Sequence, residues 1–162
     1  LESIGAFDLA LPFILIFTVV VGALIFLFGF YLIGKLISTS NCGQLGLFVN
    51  DLRNEAERNY NFDVGSSTDV SLRLPKSINH ICFFDKEEYA DRGVFDKIDK
   101  SLYDAVNNLD YNVFFVPLSS CKNGLFKVEK LKPAENPTCI LNTGNIKLGL
   151  ENKGDYVEVS KV

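Results

Sequence analysis

The sequence predicts an α+β chain: a long N-terminal apolar helix, or stalk, followed by a β-rich, mostly antiparallel globular head. Three observations predict it. Leu9 to Gly34 reads LALPFILIFTVVVGALIFLFGFYLIG, 26 residues without a charge. The later stretch QLGLFVNDLRNEAERNY places Leu45, Phe48, Val49, Leu52, Ala56 and Tyr60 on one helical face, with Asp51, Arg53, Glu55, Glu57 and Arg58 elsewhere. After it come short β-type runs bounded by Gly, Asn and Pro, concentrated in the C-terminal third. The expected organisation is residues 1–60, a helix hydrophobic and then amphipathic, and residues 61–162, an exported α+β head.

The elements follow in order. Asp8 is a candidate N-cap, with Pro12 tolerated in the first turns; an earlier start would put Pro12 inside the helix. At ~1.5 Å per residue the charge-free run makes about 39 Å of helix, more than the ~30 Å hydrocarbon core of a bilayer. Gly22 and Gly29 lie seven apart and share a face, where small residues let two helix backbones approach closely; glycine is also simply common in apolar membrane helices. STSNCG, residues 38–43, reads as a hinge. DVSLRL alternates as a strand closed by Pro75, and INHICFF is apolar enough to be a central one. DKEEYADRG reads as a surface loop or short helix, and VFDKIDKSLYDAVNNL as one helix lying on the sheet. NVFFVPL, LFKVEKL, TCILN, NIKLGLE and DYVEVSKV read as further strands, with hairpin turns expected at Asn-Thr-Gly and Lys-Gly.

Sixteen Lys and Arg stand against 20 Asp and Glu, a net charge of −4 with no basic patch for nucleic acid. The four cysteines, Cys42, Cys82, Cys121 and Cys139, form no CxxC pair. In an exported head they fit two disulfides better than a zinc site. Three connectivities are possible. Strand context favours Cys82 with Cys139, leaving Cys42 with Cys121; four free buried thiols are the alternative. The charges beside the apolar run, Glu2 and Asp8 before and Lys35 after, read literally place the head inside the cell. The cysteines outweigh that single lysine. The chain has no methionine, so Leu1 is either a fragment boundary or a processed N-terminus; the apolar run, too long for a secretory h-region and still attached, favours a mature product cut just before the hydrophobic helix.

Catalytic chemistry finds little to build on. The one histidine, His80, sits in a strand between apolar neighbours. Asp85, Glu87, Glu88 and Asp91 form an acidic cluster without the spacing or glycine of a calcium loop, and read as a solvated loop. GxSxG, HExxH, P-loop and GxGxxG motifs are missing, as is CxxCH. No enzyme, metal or cofactor is expected. The many aromatics of the apolar run read as packing, not as an electron path.

The start LESIGAFDLALPFILIFTVVVGALIF, with its apolar helix beginning almost at once and continuing amphipathic, resembles mature archaeal type IV pilins and archaellins. The resemblance covers roughly the first 35–60 residues and rests on pattern. It implies class III signal-peptide cleavage before Leu1, helices bundled as a filament core, and heads coating the outside. Gly22, Gly29, Phe13, Phe17, Leu24 and Phe28 would then be helix-packing residues. Bacterial pilins typically carry glutamate at the fifth mature position; this chain has Gly5, which favours an archaeal-type filament. The expected function is a structural pilus subunit for surface adhesion or cell–cell contact. Its partners would be copies of itself, the membrane before assembly and an unknown surface receptor. The competing reading is a single-pass membrane-anchored exported domain, stator-like or envelope-binding, that does not polymerise. A membrane-anchored enzyme is the third.

Overall fold

The computed structural model describes the backbone of residues 5–120 and 124–162, and their side chains apart from 5–11, 37–41 and 120. Leu1 and Cys121 lie outside the described residues. Two compact units result, Leu1–Ser40 and Asn41–Val162. The fold is α+β, an apolar N-terminal helix followed by two largely antiparallel sheets.

Helix α1 runs Gly5–Tyr60. Asp8 therefore lies inside it, not at its cap. Pro12 stands past the first turn, where it cannot donate to the carbonyl four residues back. The expected hinge at 38–43 is helical as well. Serine, threonine and asparagine favour turns only when their side chains capture nearby backbone, and helix on both sides of this stretch offsets that weak preference.

The second unit takes the amphipathic part of α1 into its core. Leu45, Phe48, Val49, Leu52 and Ala56 are buried, with Tyr60 packed alongside. The first sheet has the order β1-β7-β8-β5, from β1 (Ser67–Arg73), β7 (Asn145–Asn152), β8 (Val157–Lys161) and β5 (Leu131–Pro133). Only β5 and β8 run parallel. The second sheet is antiparallel, β4-β3-β2-β6, from β4 (Leu125–Phe126), β3 (Val113–Val116), β2 (His80–Phe83) and β6 (Thr138–Leu141).

The apolar run INHICFF is explained by two cores. Side chains alternate across a strand, so Ile81 and Phe83 join the α1 stripe and the inner face of the first sheet, while Cys82 points the other way. There it meets Phe84, Phe95, Leu102, Val106 and Phe114. Phe48 meets Phe115 edge-on at 5.7 Å in the first core, and Phe95 stacks on Phe114 at 5.9 Å in the second.

Two expected elements divide, and one expected hairpin does not form. The single helix is α2 (Arg92–Ile98) and α3 (Leu102–Val106), with Asp99 extended between them at φ −162° and ψ 122°. The Asp99 carboxylate accepts from both the N–H and the hydroxyl of Ser101, a local capture that competes with helical bonding. Phe95, Leu102 and Val106 are still buried, but Ala105 is exposed. LFKVEKL is two strands in different sheets, separated by a turn in which Lys130 takes a left-handed φ of 58°. Asn-Thr-Gly is no hairpin, because β6 and β7 belong to different sheets; the turn carries the chain from one to the other. Lys-Gly does make a hairpin, joining antiparallel β7 and β8 through Gly154 at φ 97°.

Candidate functional site

The longest exposed apolar stretch among the described residues is the segment Pro12–Leu36, 25 residues of mean hydropathy 2.9 and none of it buried. By length and composition it suffices to cross a membrane. Phe13, Phe17, Leu24 and Phe28 are 60–72% exposed, so no described residue covers them. At about 100° per residue, these four cluster on one side of the helix, and Gly22 with Gly29 lies on the opposite side. A Cβ added at either glycine would meet nothing within 4 Å. The helix thus has a bulky ridge and, across from it, a notch.

Cys82 and Cys139 are joined in a disulfide, and stand directly opposite one another on β2 and β6. This is the pairing that strand context favours. Cys42 is disulfide-bonded too. Its expected partner, Cys121, lies outside the described residues.

The acidic cluster encloses a lysine. Lys132 Nζ lies 2.8 Å from Asp85 Oδ2, 3.9 Å from Glu88 and 4.0 Å from Glu87. Burial pushes the Asp85 carboxyl up. The hydrogen bond from Lys132, the N–H of Glu87 and the lysine charge together outweigh this and hold it below the usual carboxylate range. The same carboxylate draws the Lys132 ammonium above its usual value, against desolvation. Asp91 leaves the cluster to cap α2, accepting from the Gly93 N–H at 2.8 Å. Among the described residues no group of three or more His, Cys, Asp and Glu is placed to hold a metal ion.

His80 opens β2 opposite Val116 and Leu141, and its Nδ1 is buried without a hydrogen-bond partner among the described residues. Its neighbours in a recess of about 460 Å³ are Lys76, Ile78, Asn79, Asn142, Thr143 and Gly144, a set with no carboxylate to orient the ring as a base. A second recess, about 340 Å³, lies beside Arg53, Glu57, Tyr60 and Lys130. Its cations are engaged: Arg53 donates to the Lys127 carbonyl at 3.3 Å, and Lys130 Nζ sits 3.4 Å over the Tyr60 ring.

Sequence reading passed over the asparagines that fix the loops. Asn112 donates to the carbonyls of Val128 and Leu131 and accepts from the N–H of Val128. Asn136, Asn142 and Asn152 each do the same between other segments. Only their turn-rich surroundings signal this in the sequence. Comparison with protein-family models, curated proteins and solved structures finds no match to this chain.

Proposed function

We infer that this chain is the structural subunit of an archaeal type IV-like pilus, polymerising through its N-terminal helix for surface adhesion or cell–cell contact. The observation that carries the reading is Pro12–Leu36: charge-free from Pro12 to Gly34, with no residue of it buried, and open around both glycines. Such a surface needs a nonaqueous surrounding. Lipid supplies it before assembly. In a filament, neighbouring copies of the helix supply it, and apolar burial contributes about 25 cal/mol per Å² once the bundle meets water. A disulfide-bonded, two-sheet unit suits an extracellular coat. The second reading, a monomeric membrane-anchored exported domain, draws support from the same segment, whose 25 residues are enough for one crossing.

Electron microscopy of material sheared from the cell surface, with mass spectrometry of its main band, tests the first reading. Filaments built from this chain are the expected result. A chain found only as a detergent-soluble monomer in the membrane fraction would replace the filament reading with the anchor. Gly22→Leu and Gly29→Leu sharpen the test. A Cβ at either position has open space within 4 Å, and leucine raises helix propensity by up to about 1 kcal/mol. Loss of filaments with normal membrane insertion is expected, and reports on contacts between copies. Normal filaments from both variants would remove close glycine packing from the reading.

A further inference from the structure

Strand β1 is the outer strand of the first sheet and pairs residue for residue with β7, from Ser67 opposite Glu151 to Arg73 opposite Asn145. The Ser66 carbonyl accepts from Asn152 and the Leu74 N–H donates to Gly144, so even-numbered residues turn their backbone polar groups toward β7. Backbone groups alternate sides along a strand. Ser67, Asp69, Ser71 and Arg73 therefore turn N–H and C=O outward, where no described residue hydrogen-bonds them. Free edges are usually blunted by shortness, proline, charged side chains (lysine above all) or a bulge. The other edges obey: β4 has two residues, β5 ends on Pro133, and β6 has four. β1 has seven residues, no proline, no lysine and no break in its register.

This edge is complementary to itself. Set two copies antiparallel with Ser71 opposite Ser71. Asp69 then faces Arg73, Val70 faces Leu72, and Thr68 faces Leu74. Asp69 and Arg73 are exposed, and neither has an ion-pair partner among the described residues. Centring the pair on Asp69 or on Arg73 sets like charges opposite one another. Centring it on Val70 or Leu72 sets both charges against neutral partners. The Ser71 register is the one that pairs charge with counter-charge.

We propose that β1 pairs antiparallel with β1 of a second copy about a two-fold axis at Ser71, joining their first sheets into one continuous sheet. The contact adds about six backbone hydrogen bonds and two ion pairs. It is isologous, the same patch on both copies. It involves no residue of the apolar segment and stands whether or not the chain forms filaments.

The full chain in detergent micelles tests it. A hydrogen-bonded antiparallel pair brings Cα atoms to about 5.5 Å, within disulfide reach. Ser71→Cys should oxidise to a linked dimer at least about tenfold faster than the exposed control Lys100→Cys. Asp69→Cys mixed with Arg73→Cys should link, while either alone does not, and this pair gives the reading if Ser71→Cys fails to fold. Asp69→Arg or Arg73→Asp should weaken association about tenfold, and the double swap should restore it. Cross-linking at Ser71 no faster than at Lys100, with no linking in the mixture, overturns the proposal. Failure of the double swap to restore association also overturns it. Association through the apolar helices instead would leave both readouts unmoved.

Discussion

Asn152 donates its amide hydrogens to the carbonyls of Tyr60 and Phe62, at 3.0 and 2.8 Å, and accepts from the Gly154 N–H at 2.8 Å. One buried carboxamide thus holds the end of α1 to the β7–β8 turn. Asn152→Ala leaves two carbonyls and an N–H without it, and should lower stability by about 2–3 kcal/mol in urea unfolding of the full chain in micelles. Asp85 answers to pH instead. Its folded-state carboxyl lies below the ordinary 3.8, so the Lys132 contact contributes fully above about pH 4 and is lost as pH falls through the folded value. Asp85→Asn should flatten the fall in stability as pH drops below about 4, read as thermal midpoint against pH. Neither role was legible in the sequence. Asn152 looks like one polar residue before a Lys-Gly turn, and its partners lie about ninety positions away. Asp85 stands in an acidic run that gives no hint of Lys132.

At the scale of elements, periodicity carried the most information where one face is buried. The stripe Leu45–Tyr60 lies in the core because helical spacing and one-sided apolar character coincide. The apolar run of β2 made it interior, between β3 and β6. Spacing failed where a local side-chain bond decides. Asp99 divides a helical pattern, and Gly144 makes a turn that changes sheets when a hairpin was expected. At Asp99 a bond to Ser101 two residues on overrides the helical spacing, whereas at Gly144 the outcome depends on which distant strands β6 and β7 pair with, which a sequence window does not contain. The Cys82–Cys139 bond ties β2 to the edge strand β6, across 57 residues of chain. Replacing both cysteines with alanine should cost about 2–4 kcal/mol, read as a lowered urea midpoint for the full chain. The proposed β1 pairing was not sought in the sequence, because an edge is defined only once the sheet order is known.

For the whole molecule, the two units meet opposite demands. Asn41–Val162 holds two buried apolar cores of its own, whereas Pro12–Leu36 buries no residue. Conditions that unfold the second unit need not disturb the first. Shearing, detergent and the glycine substitutions at Gly22 and Gly29 act on the first. Acid, urea and loss of the disulfide act on the second. Filament loss without a change in the urea midpoint is therefore the expected signature of Gly22→Leu and Gly29→Leu.

The two sheets also leave unequal room for sequence change. Ile81, Cys82 and Phe83 are each at most 1% exposed, walled in by a core on either side. The first sheet turns Asp69, Ser71, Lys147 and Glu151 outward on side chains the cores do not touch. Among related chains under pressure to vary their outer surface, β2 would stay fixed in size and polarity. The outer face of β7, at Lys147 and Glu151, would be free to drift, and new surface identities can arise there without refitting the interior.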